Sequence, residues 1–150
     1  MKHLFNKLIT THSNLGFSIA RLTLGLVIFP HGAQKLLGLF GGYGYSCTME
    51  SLTTQMGLPS MVAFSVIMIE FFGSISLVLG LFSRFWALSL AGMFTGIIIT
   101  TQLKHGFFMN WYGNQAGEGY EYSLLVIGLA LTILVNGSGK WSIDTLISKK

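Results

Sequence analysis

The sequence predicts an all-α fold: one domain built as a four-helix transmembrane bundle, with both termini in the cytoplasm. Three observations lead there. Of 150 residues, 51% are hydrophobic and only 9% charged, against about 25% charged in soluble domains. The apolar residues collect in four runs of roughly the 17–25 residues that cross a hydrocarbon core. Lysine and arginine are concentrated on one side of the loops those runs would make.

Lys2 and Lys7 precede the first run as they would in a secretory signal, but Arg21 interrupts the apolar stretch and no small-residue cleavage site follows, so the segment reads as a retained helix. Ahead of it, Leu4, Phe5, Leu8 and Ile9 share a helical face opposite Lys2 and Asn6. That suits a helix lying on the inner membrane surface and equally a frayed terminus. Span one runs from about Leu15 to Phe40, where Pro30 should kink it and leave a backbone carbonyl free near His31. Span two begins around Pro59, a residue suited to a helix's first turn, and ends near Phe82. Ser83 and Arg84 alone join it to span three, Phe85 to Leu103, so the two form an antiparallel hairpin. Span four starts at about Tyr120 and stops at Asn136 and Gly137, a natural helix end.

With both termini inside, the cytoplasmic side carries Lys2, Lys7, Arg84, Lys140, Lys149 and Lys150, and the outer side only Lys35 and Lys104. Tyr43, Tyr45, Trp111, Tyr112 and Tyr120 outside, with Trp86 and Trp141 inside, fall where aromatic belts stand. The expected location is the bacterial cytoplasmic (inner) membrane, crossed several times. Gly92 and Gly96 on span three, and Gly73, Ser76 and Gly80 on span two, are small-residue stripes. They read first as contacts inside the bundle and second as a face for a second copy of the chain.

The net charge of +4 belongs to this topology and not to nucleic acid, since the basic residues are scattered and never interleave with aromatics in a strand pattern. Cys47 is the single cysteine, which excludes an intrachain disulfide, a CxxC redox pair and a multi-cysteine metal site. Cys47 with Met49 and His31 is a weak signal for a soft metal. Transmembrane haem wants facing histidine pairs that the spans lack, and no phosphate-binding glycine loop, nucleophile elbow or HExxH occurs. No metal is expected, and electrons for any redox role come from elsewhere.

The chemistry lies in ionisable groups at membrane depth. Glu70 is the one charge between Met61 and Phe82, and such a group is costly unless it meets a partner or water. Helical rise from the inner edge puts Arg21 at about 9 Å, Glu70 at about 18 Å and His31 at about 24 Å. With His31, Glu70 accepts a proton or holds a ligand; with Arg21, it is the counter-charge that clamps spans one and two. His31, Gln34 and Lys35 share a face at i, i+3 and i+4, Lys104 and His105 close span three, and Glu118 and Glu121 open span four. In an antiparallel bundle they meet at one end as a polar vestibule above Glu70. Taken singly, Lys35, Lys104 and Glu118 also read as edge charges that snorkel to water. The loop 106–119, with Phe107, Phe108, Trp111 and Tyr112, reads as a lid over the vestibule or as an anchor at the headgroups.

Arg21, Gly25, His31, Gly32 and Lys35 in RLTLGLVIFPHGAQKL are followed by MGLPS, EFFGSISLVLGLFSR, KHGFF, EYSLL and GSGKWSID. The series resembles the DoxX family of small four-helix membrane proteins over nearly the whole chain. By position, the family's characteristic polar residues are here Arg21, His31, Lys35, Glu70, His105 and Glu121, while the outer loop Gly41 to Gln55, with Cys47, is individual to this chain. The resemblance implies membrane oxidoreductase systems, a thiosulfate:quinone oxidoreductase among them; other members accompany stress-response or peptide-modification genes.

The leading expectation is therefore an integral membrane subunit of an oxidoreductase system that binds a quinone or similar small lipophilic ligand. The pocket, open to the outer side, would draw on Arg21, His31, Gln34, Lys35, Glu70, Lys104, His105 and Glu121. The protein would carry no intrinsic cofactor, sit in membrane lipid and take electrons from a partner redox subunit. One alternative is a non-catalytic anchor or assembly factor for a partner enzyme. Another is a small transporter, for which broken helices and an internal repeat are missing apart from Pro30.

Overall fold

The computed structural model describes residues 14–148, so the expected surface helix around Leu4 to Ile9 lies outside the described residues. The described residues form helices and connecting turns, with no strand. In chain order these are α1 (Leu15–Leu37), α2 (Gly44–Glu50, continued by a π-helical stretch Ser51–Gln55), α3 (Ser60–Leu79), α4 (Ser83–His105), α5 (Glu121–Asn136) and α6 (Ile143–Ser148). By length and composition α1, α3 and α4 suffice to cross a membrane, and α5 is apolar but shorter. Both α3 and α5 pack against α1 on one side and α4 on the other. Leu24, Ile28, Leu77, Leu90, Phe94 and Ile133 fill the space between them.

Asn14 starts α1 by accepting a hydrogen bond from Gly16 N at 2.7 Å, and Gly38 ends it in the left-handed conformation, φ 71°. The helix runs unbroken through Pro30. A proline strands the carbonyl four residues before it, here Leu26, which is more than a turn from His31.

The backbones of α1 and α3 nearly touch. A Cβ on Gly25 would lie 2.9 Å from the Ser74 carbonyl oxygen, and one on Gly32 would lie 2.5 Å from Phe71 N. These two glycines, seven residues apart and so on one helix face, make the close crossing that the sequence reading assigned to Gly92 and Gly96. On α4, Gly92 and Gly96 are exposed, and among the described residues nothing stands within 4 Å of where their Cβ would be. On α3, a Cβ on Gly73 would lie 2.9 Å from the Trp86 ring, so Trp86 packs inward over this glycine while Trp141 remains 77% exposed.

Arg21 and Asp144, both 0% exposed, organise the end where α1 begins. Arg21 donates to the Leu77 carbonyl, to Val78 O at 2.7 Å, to Ser138 O at 2.9 Å and to Trp141 O at 3.1 Å. It thereby satisfies carbonyls at the C-terminus of α3, where a cation is favoured. Asp144 accepts from Phe82 N at 2.8 Å, Ser83 N at 3.0 Å and the Ser138 hydroxyl at 2.5 Å. A carboxylate from the chain's end thus caps the N-terminus of α4. The expected Arg21–Glu70 clamp is absent. Glu70 pairs with Lys35, fourteen residues and ~21 Å of helix beyond Arg21.

Replacing Asp144 by alanine strands two backbone donors and a hydroxyl, and should lower stability by about 3 kcal/mol. Thermal unfolding in detergent reads this, and an unchanged midpoint would mean the cap is not formed.

Candidate functional site

Two helices widen where the interior turns polar. From Ile69 to Gly73 α3 is π-helical, and α4 does the same from Ile98 to Gln102. A π turn fits an extra residue into the helix and is frequent at functional sites. Here the two stretches carry Glu70 and Gln102 to a common chamber of about 220 Å³.

Glu70 is 2% exposed, and both its oxygens accept from Lys35 Nζ at 2.5 Å. The Lys35 side chain is 31% exposed, so the pair is buried at its carboxylate and open at its ammonium. An ammonium has three donors, and two of them serve Glu70. His31 lies exposed at the chamber's rim, its ring centroid 6.2 Å from that of Tyr122. Tyr122 also meets Phe94 edge-on at 6.0 Å. The Tyr122 hydroxyl is buried and has no hydrogen-bond partner among the described residues. Ser123 completes the wall and donates to Gln102 Oε1 at 2.7 Å.

The predicted site residues divide. His31, Lys35 and Glu70 come together at the chamber. Gln34 instead donates to Phe40 O at 3.0 Å and holds the turn after α1. Lys104 is exposed beside the chamber, in a neighbouring hollow that also reaches Lys35. His105 packs against Gly117, where a Cβ would lie 2.5 Å from its Nε2. Glu121 accepts from Met109 N at 3.0 Å, and Glu118 from Asn110 N at 2.8 Å while also lining the chamber. With Glu121 N donating to Phe107 O at 2.9 Å, these carboxylates close the loop that follows α4 over the chamber. Met109 of that loop reaches the chamber, and Trp111 and Tyr112 stand exposed outside it. Arg21 lies at the opposite end of α1.

The DoxX family profile matches residues 16–103, which takes in α2 and α3 and all but the first residue of α1 and the last two of α4. The chain belongs to the DoxX family. It is 30% identical over 137 residues to "Inner membrane protein YqjF" of Escherichia coli (strain K12), covering 91% of this chain and 95% of that protein. It is 28% identical over 135 residues to "Putative oxidoreductase CatD" of Bacillus subtilis (strain 168), covering 90% of this chain and 89% of that protein. No solved structure matches it. With its apolar helices and a relative so named, this DoxX protein is a multi-pass protein of the bacterial inner membrane.

Three polar members of the chamber in this DoxX chain escaped sequence reasoning: Gln102, Tyr122 and Ser123. Tyr122 and Ser123 lie in the EYSLL motif, where Glu121 drew the attention. On a helix that opens at Glu121, the next two residues point to other faces, and those are the faces turned to the interior. Gln102 carried no signal, because its direction depends on the π-helical stretch.

Lys35→Met leaves an unpaired buried carboxylate and should destabilise by about 3–5 kcal/mol, whereas adding Glu70→Gln to it should recover most of the loss. A double-mutant cycle by thermal unfolding measures this. Additive losses would mean the two side chains do not meet.

Proposed function

We propose that the chain is a membrane subunit of an oxidoreductase system that takes the ring of a quinone, or a similar small lipophilic molecule, into the chamber between Lys35, Glu70 and Tyr122. The observation that carries the reading is the buried, unpartnered Tyr122 hydroxyl at the same small chamber as a lysine–carboxylate pair. An orphaned buried donor is costly and so points to a ligand group that it bonds. A quinone ring presents two carbonyl oxygens. Tyr122 O–H and the third proton of Lys35 Nζ are donors for them, while Glu70 and the rim histidine His31 hold and pass protons. The chamber of about 220 Å³ lies below the ~300–1,000 Å³ of pockets for drug-sized ligands, which suits one ring. When bound, the quinone supplies the electron-accepting chemistry, and the electrons come from a partner redox subunit. The oxidoreductase name of the Bacillus subtilis relative supports the same class.

This reading makes α5 the fourth crossing of a four-helix transmembrane bundle with both termini in the cytoplasm. Arg84 and Lys140 then lie at the inner end, Lys35 and Lys104 at the outer, and the chamber opens outward. The sixteen residues of α5 span ~24 Å, and local thinning of the bilayer accommodates the difference from its ~30 Å core. A second reading, a non-catalytic anchor for a partner enzyme, is favoured by the structural use of Arg21, Gln34, Glu118 and Glu121, whose bonds go to backbone groups.

Binding of a short-tailed benzoquinone to the purified protein in nanodiscs separates the two. Tyr122→Phe removes the orphaned hydroxyl and so should raise the unfolding midpoint of the ligand-free protein, while weakening ring affinity by about 2- to 13-fold, the range of one hydrogen bond of ~0.5–1.5 kcal/mol. An anchor binds no ring in either form. For the topology, the single exposed Cys47 is a natural probe. A membrane-impermeant thiol reagent should label it from outside in spheroplasts, and labelling only after permeabilisation would reverse the orientation.

A further inference from the structure

Beside the chamber, the outer surface between α3 and α4 is hollow along much of its length. One depression of about 500 Å³ begins at Lys35 and Lys104 and passes Thr101. A second, of about 410 Å³, includes Gly92 and Gly96 and is walled by Val62, Ile69 and Leu88. Both are lined by Leu58, Val66, Ile97 and Thr100, so they form one continuous groove. Lys35 and Ile97 also line the chamber, so the groove adjoins the chamber at those two side chains. From Leu88 to Lys104, α4 rises ~24 Å. The groove is deep because Gly92 and Gly96 leave their side-chain space empty.

We infer that this groove seats the apolar tail of the molecule whose ring enters the chamber, so that the ligand is a long-tailed, quinone-like amphiphile arriving sideways from the membrane. The inference rests on the ring-binding reading and adds to it the shape of the ligand and its route. The groove's polarity runs as such a molecule's does: Lys35, Lys104, Gln55 and Thr101 stand toward the chamber, whereas valine, leucine and glycine predominate at the far end, where the Ser65 and Ser89 hydroxyls donate to the carbonyls of Met61 and Phe85 in their own helices. The chamber itself has room for a ring and none for a chain, so a tail must leave it, and the groove begins where the chamber ends. Lipid is as apolar as the groove, so the tail gains packing contacts more than transfer out of water. The groove's effect is to fix the direction in which the ring is presented. Lys35, common to groove and chamber, stands where ring and tail would join.

The test uses the full chain in nanodiscs and a benzoquinone whose isoprenoid tail carries a diazirine, with labelled residues mapped by mass spectrometry. Label should fall on the groove faces of α3 and α4 and be displaced by excess short-tailed benzoquinone. Gly96→Leu, at a position where an added Cβ meets no described neighbour within 4 Å, should reduce this labelling about tenfold, equivalent to ~1.4 kcal/mol, and leave short-tailed ring binding intact. Gly92→Leu should act alike. Label spread elsewhere while the ring still binds overturns the inference alone, as does label that the short ring does not displace, which marks a bulk lipid site. A wild-type dimer that Gly96→Leu dissociates assigns the groove to a second copy and overturns it too. Failure of the short-tailed ring to bind overturns the functional reading and this inference together.

Discussion

A carboxylate buried in an apolar helix must be neutralised, and the Lys35–Glu70 pair does this within the interior of the molecule. A buried pair adds little net stability, but losing one partner is costly, so its main effect is to fix register. Lys35 sits three residues beyond Gly32, where the α1 backbone crosses α3 at Glu70 and Phe71. Any slip of one helix along the other would both bring a Cβ into that crossing and separate the two charges. The same crossing sets Lys35 and His31 around the chamber, and α5 brings Tyr122 to its other side.

The remaining ionisable residues divide by place. At one end Arg21 and Asp144 satisfy backbone groups at the turn between α3 and α4, one at a helix C-terminus and the other at a helix N-terminus, each with the sign the helix ends favour. At the other end Glu118 and Glu121 hold the loop after α4. Both sets spend their hydrogen bonds on architecture. The ammonium of Lys35 and the hydroxyl of Tyr122 keep donor capacity at a space large enough for a guest.

The four long apolar helices were legible from hydropathy because membrane length and apolar composition are direct physical requirements, whereas α2, in the stretch read as an outer loop, and the short α6 carry no such signal. The turn at Gly80 and Phe82 and the end at Asn136 fell close to their predicted places for the same reason. Glu70 stood out because charge is rare at that depth. Its partner did not, since depth counting treats helices as rods of constant rise and neglects both the reach of a lysine and the π-helical stretch that re-aims Glu70. Asp144 was invisible as a cap because it acts across sixty residues of chain. The Gly92–Gly96 pair misled because a GxxxG spacing permits close approach without requiring it, whereas Gly25 and Gly32, noted only for their place in the family motif and not as a packing pair, make the approach.

An experimental density map of the protein in lipid, with the short-tailed benzoquinone added, tests the central claim most directly. The account predicts a ring between Tyr122 Oη and Lys35 Nζ, with Glu70 still held by Lys35. Glu70 lying against acyl chains apart from Lys35, or the Tyr122 hydroxyl bonded to protein with no space left beside it, would contradict it.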